Sequence, residues 1–261
     1  MGIVSEGSLR EPKRSLGVLR LGQHMHPSRA WGYSAYLRPV PLHSLHRLSP
    51  TAVLGLWHRT ETPAALWALL PPGLVPGYAA RQPATADAHR SGQWLAARVL
   101  LHRLLAEVFG AAFAAIWLEN TASGRPELCG AVPAAAAVSL SHSGEWAAVL
   151  LSTSGPVGVD IELVRDKAQR LASKFLSAAE AGAAAQTPSA THYTLLWSAK
   201  ETLYKLAQRR GLTFKTQLLL GSFVAAETGT IPGTVLVEGQ ATRHLICYCQ
   251  PAEGYVLTYA C

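Results

Sequence analysis

Apolar residues occur in short runs along this chain, and their spacing alternates between the period of a strand and the period of a helix. Residues 52–57 form a continuous apolar run that is typical of a buried strand. Between residues 86 and 109 the apolar positions recur at helical spacing, and Gly110 ends that helix. The same criteria predict further helices at 63–70, 167–175, 178–185 and 193–208, and further strands at 116–118, 126–128, 137–140, 146–152, 157–163, 212–220, 234–238, 244–248 and 255–259.

The order of these elements divides the chain into three parts. Residues 1–38 mix Gly, Ser, Arg and His without sustained periodicity, and we expect a mobile N-terminal extension there. Residues 39–154 and 155–261 each run from strand through helix to several strands, and a Thr-Ser-Gly-Pro turn separates them. This order predicts an α+β fold and suggests an internal duplication.

Composition narrows the class of protein. Hydrophobic residues make up 49% of the 261 residues and charged residues 15%, which excludes intrinsic disorder for most of the chain. No apolar run approaches the ~20 residues that span a bilayer, and no signal peptide is recognised, so we expect no membrane partner. The cysteines Cys129, Cys247, Cys249 and Cys261 lack zinc spacing, which favours a reduced, cytoplasmic protein. The net charge of +7 is dispersed, which argues against nucleic acid and suits an acidic partner or a polyphosphate ligand.

Two acidic motifs are candidates for chemistry. In Gly-Val-Asp-Ile-Glu, at residues 158–162, strand alternation places Asp160 and Glu162 on one face. A third carboxylate in the same pocket would require a cation, and oxygen ligands favour Mg²⁺. Helical spacing aligns Trp197, Glu201 and Lys205, with Lys200 a quarter turn away. Each motif also has a structural explanation, a solvated strand face for the first and an exposed ion pair for the second.

Basic side chains form a second group of candidates. His142 lies in a Ser-His-Ser sequence where a strand ends, and it could donate to a phosphate or belong to a capping turn. Arg125 lies in the Ser-Gly-Arg-Pro turn, and Arg98 lies on the long helix. Taken alone, each arginine is an ordinary surface residue.

Together the motifs Gly-Arg-Pro, Ser-His-Ser, Gly-Val-Asp-Ile-Glu and Trp-x-x-Lys-Glu-x-x-x-Lys occur in an order and spacing that resembles the 4′-phosphopantetheinyl transferases. The similarity is closer to the larger, pseudo-dimeric type represented by the surfactin-synthetase activating enzymes. It covers roughly residues 45–215. The resemblance implies two similar α/β halves, with the active site in the cleft between them.

The resemblance also implies the components of the reaction. Phosphopantetheine would pass from coenzyme A to a serine of an apo acyl or peptidyl carrier protein, with Mg²⁺ bound and 3′,5′-ADP released. Asp160, Glu162 and Glu201 would be the metal ligands. Glu201 is the first candidate for the base and Glu162 the second, and Lys205 would assist the leaving phosphate. The implied contacts to the phosphates of coenzyme A come from Arg98, Arg125, His142, Lys200 and Lys205.

The partner and two alternatives complete the expectations. We expect a monomer, because a duplicated chain supplies both halves of its cleft. Lys174, Phe175 and Leu176 are expected to form part of the surface that docks an acidic carrier protein. A Mg²⁺-dependent nuclease could use the same carboxylates, and a non-catalytic carrier-binding module could have the same fold.

Overall fold

The computed structural model describes residues 42–261 with the exception of residues 85, 86 and 123. The described residues belong to one compact unit. The extension expected at residues 1–38 lies outside the described residues. Within the described part of the chain, no helix is both long and apolar enough to cross a membrane.

The strands and helices of this unit follow one another along the chain in groups. The strands are β1 (Leu42–Ser49), β2 (Ala52–His58), β3 (Ile116–Asn120), β4 (Pro126–Gly130), β5 (Ala137–Ser143), β6 (Trp146–Ser152), β7 (Gly158–Leu163), β8 (Leu218–Leu220), β9 (Thr228–Val237), β10 (Gln240–Cys249) and β11 (Tyr255–Ala260). The helices are α1 (Pro63–Trp67), α2 (Val75–Arg81), α3 (Ala88–Phe109), α4 (Lys167–Arg170), α5 (Ala172–Phe175), α6 (Ala178–Ala184) and α7 (Ala190–Ala207). Short 3₁₀ turns cover Pro72–Leu74 and Gly110–Ala115.

Two antiparallel sheets form the framework, and each is covered by one long helix. The first sheet has the order β1-β2-β6-β5, and α3 buries Leu100 and Leu104 against it. The second has the order β7-β11-β10-β9-β8, and α7 buries Ala199 and Leu203 against it. Strands β3 and β4 form a separate hairpin. The mixed α/β composition agrees with the predicted fold class.

The two sheets also pack against each other. Leu54, Leu56 and Leu150 of the first sheet share a buried cluster with Val159 and Ile161 of β7. Strand alternation therefore turns Asp160 and Glu162 to the opposite face of β7, toward α7. This arrangement agrees with the face assignment made from the sequence.

The largest differences from the predicted elements occur where polar residues interrupt the pattern. Strand β1 was not predicted, because its sequence LHSLHRLS alternates poorly; it forms by pairing with β2. Helix α2 was not predicted either, since its Pro and Gly residues indicate a turn. The strand expected at 212–220 is reduced to Leu218–Leu220, and the helix expected at 167–175 is divided at Leu171.

Candidate active site

Helix α7 lies directly on strand β7 because Gly158 allows their backbones to approach. A Cβ atom at Gly158 would be 2.2 Å from the carbonyl oxygen of Thr202. Thr202 itself is buried, and its hydroxyl lies 2.6 Å from that of Thr258 on β11. The close approach brings Glu201 and Lys205 of α7 next to the carboxylates of β7.

Asp160 is the most buried carboxylate of the predicted set. Its Oδ1 atom accepts hydrogen bonds from Ser141 Oγ at 2.8 Å and from Lys205 Nζ at 2.8 Å. Lys205 also donates to the carbonyl oxygen of Val159 at 2.9 Å. The Oδ2 atom of Asp160 is buried and accepts no hydrogen bond from the described residues. Such an atom is costly unless something else binds it.

Both carboxylate oxygens of Glu162 accept hydrogen bonds. Trp197 Nε1 donates to Oε1 at 3.1 Å, and Ser143 Oγ donates to Oε2 at 3.0 Å. Ser143 Oγ in turn accepts from the backbone N–H of Leu163 at 3.0 Å. Burial and the charge of Asp160 raise the pKa of Glu162 above its ordinary value. Glu162 is therefore held in one position from two sides.

Glu201 is the least constrained of the three. Burial and the nearby charges of Asp160 and Glu162 raise its pKa to about 7, although the Lys205 ammonium opposes this shift. None of the hydrogen bonds of the described residues involves the Glu201 side chain. A partly buried carboxylate with a pKa near neutrality suits proton transfer.

The three carboxylates do not by themselves form a complete metal site. Over the residues that the structure describes, no group of three or more His, Cys, Asp or Glu side chains could hold a metal ion. The donor set nevertheless fits Mg²⁺, which commonly binds through one or two carboxylates, with water and substrate phosphates as its other ligands. Asp160 Oδ2 and the Glu201 carboxylate are the oxygens that remain available for such an ion.

The predicted cations His142 and Arg98 lie beside this site. Burial and the positive charges of Arg98 and Lys205 lower the pKa of His142, although the imidazole reaches the surface. Arg98 stacks on Trp94, with its guanidinium carbon 3.8 Å from the ring centroid, and burial lowers its pKa to about 10. Its Nε atom is buried without a partner among the described residues. Because no carboxylate of the described residues pairs with this guanidinium, it is suited to an anionic ligand.

Arg125 is placed by the β3–β4 hairpin against the end of α7. Its Nη1 atom donates to Gln208 Oε1 at 2.7 Å, and Gln208 follows Lys205 by three residues. Ser123 of the same predicted motif lies outside the described residues. The structure thus brings Arg125 to the helix that carries Lys205, and none of its hydrogen bonds or ion pairs involves the three carboxylates.

Lys200 has a different environment from the one predicted for a phosphate ligand. The side chain is fully buried, and Nζ donates to Glu180 Oε2 at 2.7 Å and to the carbonyl oxygens of Phe214 and Leu218 at 2.8 and 2.7 Å. These three bonds use all three donors of an ammonium group. No N–H of the Lys200 ammonium group remains to bind a phosphate of coenzyme A. Lys200 therefore stabilises the fold here and does not make the phosphate contact that was predicted.

The docking surface expected at residues 174–176 also requires correction. Phe175 and Leu176 are each only 2% exposed, and Phe175 packs edge-on against Trp197. They belong to a buried cluster with Tyr193 and Leu196. Of the three residues, Lys174 alone lies at the surface.

Three residues that position the carboxylates were not singled out as partners in the sequence analysis. Ser141 and Ser143 of β5 reach Asp160 and Glu162, and Ser139 Oγ accepts from the backbone N–H of Val159 at 3.0 Å. Serine at every second position of a strand was the available signal, since alternation places all three on one face. The bond from Trp197 to Glu162 had no comparable local signal, because 35 residues separate the two.

Comparisons with known proteins bear on this geometry. Residues 156–260 match the family model of the 4′-phosphopantetheinyl transferase superfamily. The chain is 35% identical over 127 residues to the 4′-phosphopantetheinyl transferase AcpT of Salmonella typhi, and equally to that of Salmonella typhimurium; each alignment covers 47% of this chain. It is 29% identical over 162 residues, 61% of this chain, to the 4′-phosphopantetheinyl transferase psf-1 of Bacillus pumilus. The chain spans about three fifths of the length of these relatives, 60% for AcpT and 61% for psf-1.

Proposed function

We propose that this chain, which contains a domain of the 4′-phosphopantetheinyl transferase superfamily in residues 156–260, transfers the phosphopantetheine group of coenzyme A to a serine of an apo carrier protein. The observation that supports the proposal most strongly is the group of three carboxylates beside Lys205 and His142, where β7 meets α7. A pyrophosphate has the negative charge and oxygen atoms that the Lys205 ammonium, the N–H of the His142 imidazole and metal-binding carboxylates together accommodate.

The nucleophile in this reaction is a serine hydroxyl, which is weak until a base removes its proton. We assign the base to Glu201, because its side chain makes no hydrogen bond with the described residues and burial raises its pKa in the metal-free chain to about 7, a value that bound Mg²⁺ would lower. The serine oxygen forms a bond to the β-phosphorus of coenzyme A, and the bond from that phosphorus to the oxygen of the leaving 3′,5′-ADP breaks. Glu162 is the second candidate for the base.

Cations of the chain would hold the phosphates. Lys205, which lies beside Asp160, would stabilise charge on the leaving phosphate, and Arg98 and His142 would donate to the nucleotide phosphates. Arg125 extends this group at the end of α7. A Mg²⁺ ion bound by Asp160 and Glu201 would neutralise charge on the pyrophosphate. Glu162 would face that ion through a water molecule, since its own oxygens already accept from Ser143 and Trp197.

The proposal is tested by intact-mass spectrometry of an apo carrier protein incubated with the purified chain, coenzyme A and Mg²⁺. The expected result is a mass increase of one phosphopantetheine group. Asp160→Asn and Glu201→Gln should each lower the rate at least roughly 100-fold, because each removes a group that acts at the reacting phosphate. Glu253→Gln is the matched control at an exposed carboxylate and should transfer at the wild-type rate.

Three outcomes would contradict this function. A folded wild-type protein that binds the carrier protein without modifying it would indicate a binding module. Cleavage of plasmid DNA with Mg²⁺, lost in Asp160→Asn, would indicate the nuclease. Full transfer activity in both active-site variants would remove the assignment of the carboxylates.

A further inference from the structure

The turn between β5 and β6 is held from three directions. The backbone N–H of Arg59, at the end of β2, donates to the carbonyl oxygen of Glu145 at 2.7 Å. Gln93 Nε2 of α3 donates to the carbonyl oxygen of Gly144 at 2.8 Å. From the second sheet, the hydroxyl of Tyr255 accepts the backbone N–H of Glu145 at 3.3 Å. A turn that only connected two strands would not need partners on three separate elements.

The side chain of Glu145 strengthens this attachment. Its Oε2 atom accepts from the guanidinium of Arg59, and its Oε1 atom lies 2.8 Å from His89 Nε2 on α3. The Arg59 side chain is 12% exposed and that of Glu145 is 43% exposed, so the ion pair is shielded from solvent on the arginine side. Glu145 thus ties the turn to β2 and to the first turn of α3.

The backbone at Gly144 has little room to move, because Tyr255 packs closely against it. Its φ angle of +54° is unfavourable for residues with a side chain, and a Cβ atom there would lie 2.1 Å from the hydroxyl of Tyr255. Tyr255 therefore packs directly against the backbone of the turn. The residue that precedes Gly144 is Ser143, whose hydroxyl donates to Glu162 at 3.0 Å.

We propose that Glu145 is a positioning residue for the active site: it fixes the β5–β6 turn so that Ser143 holds Glu162 in place. The proposal rests on the proposed function. Glu162 has one oxygen bound by Trp197 of the long helix α7 and the other bound by Ser143, the last residue of β5 before the turn. Loss of the second bond frees the carboxylate to rotate away from the reacting groups, and a displacement of about 1 Å at such a position lowers rates strongly.

The test compares Glu145→Gln with Ser143→Ala and with the double variant. Glu145→Gln keeps the size of the side chain and removes the charge that binds Arg59 and His89. Glu119→Gln is the matched control, because Glu119 also pairs with an arginine, Arg81, and accepts from Trp117 Nε1 at 3.0 Å. It lies on β3, on the separate hairpin.

We expect Glu145→Gln to lower kcat roughly tenfold, the effect of one lost hydrogen bond to a charged group, with little change in the KM for coenzyme A. Ser143→Ala should lower kcat by a similar factor. The double variant should be no slower than Ser143→Ala alone, since both changes break the same link. Glu119→Gln should keep the wild-type kcat.

A second readout does not depend on activity. The indole N–H of Trp197 donates to Glu162, so its ¹⁵N–¹H NMR signal reports the position of that carboxylate. Protein labelled with ¹⁵N-tryptophan contains seven such groups, and Trp197→Phe identifies the relevant one. The signal should move in Glu145→Gln and in Ser143→Ala, and it should stay in place in Glu119→Gln.

An unchanged Trp197 signal in Glu145→Gln would overturn the proposal, whether or not the wild-type chain transfers phosphopantetheine. Multiplicative losses of kcat in the double variant would also overturn it, because they would show that Glu145 acts independently of Ser143. A wild-type chain without transferase activity, combined with the expected NMR shifts, would contradict the proposed function and leave the positioning role supported.

Discussion

Asp160 shows how a single buried carboxylate divides its two oxygens between structure and ligand. Oδ1 is neutralised by Lys205 and bound by Ser141, whereas Oδ2 is left without a partner among the described residues. The Lys205 ammonium is the counter-charge that offsets part of the cost of burying this carboxylate. Oδ2 is then available to bind a cation.

Glu201 leads to a prediction about pH at the same scale. Its pKa of about 7 in the folded protein lies above the ordinary 4.5, so between these values the folded chain holds a proton that the unfolded chain releases. The stability of the metal-free wild type should therefore fall as pH rises through this window. Glu201→Gln has no proton to release at this position. Its free energy of unfolding minus that of the wild type should therefore increase by about 2–3 kcal/mol between about pH 5 and about pH 8.

Urea unfolding of both proteins in EDTA measures this difference at each pH. Titrating groups that do not interact with Glu201, such as the buried His102 with its pKa lowered to about 4, contribute equally to both proteins and cancel. A difference that stays constant across the range would show that Glu201 has an ordinary pKa.

At the scale of elements, α7 is held between two sets of contacts. One face lies on β7 through Gly158, and Lys200 joins the helix to α6 through Glu180. Glu180 also accepts from Ser177 N–H in a capping box and from the backbone N–H of Leu220 beside it. The pair therefore connects α6, α7 and β8.

Lys200→Met should lower the free energy of unfolding by about 3–5 kcal/mol, because it leaves the Glu180 carboxylate buried without its counter-charge. Adding Glu180→Gln should recover part of the loss, since the buried group is then neutral. Urea unfolding measures both. The folded Lys200→Met protein should keep the wild-type KM for coenzyme A, and a large rise in this KM without a loss of stability would restore the phosphate contact that the sequence suggested.

At the scale of the whole molecule, positive charge is unevenly distributed. Residues 1–38 contain six Lys and Arg against two Glu, so they account for +4 of the net +7. In the rest of the chain, the segment directly after β7 is rich in exposed basic residues: Arg165, Lys167, Arg170 and Lys174, with Asp166 as the one acid between them. We propose that this segment, in place of Phe175 and Leu176, attracts an acidic carrier protein.

Lys167→Glu and Arg170→Glu together should therefore raise the KM for the carrier protein several-fold to roughly tenfold and leave the KM for coenzyme A unchanged. The wild-type KM for the carrier protein should rise with ionic strength, because salt screens exposed charges. Arg243→Glu on β10 is the control for a charge change elsewhere on the surface. Equal effects of the control and the double variant would contradict a localised docking segment.

The family resemblance was predictable because its motifs are local, and the family model matches the part of the chain that contains the two acidic motifs, residues 156–260. Each motif also implies a local geometry: alternation turns Asp160 and Glu162 to one face, and helical spacing aligns Trp197 with Glu201. Burial was harder to predict. Phe175 was expected to be exposed and to contact a carrier protein. It is buried because it packs against Trp197 of α7, a helix that begins fifteen residues later in the chain.

The sequence by itself therefore determined which faces of β7 and α7 the candidate residues occupy, because periodicity and motif spacing are properties of neighbouring residues. Only the tertiary structure decided how those residues are used. Lys200 and Lys205 lie five positions apart on one helix. Lys200 donates its hydrogen bonds to Glu180 and two backbone carbonyls, whereas Lys205 donates to Asp160. The difference arises from the distant elements packed against each side of α7, and no local pattern encodes them.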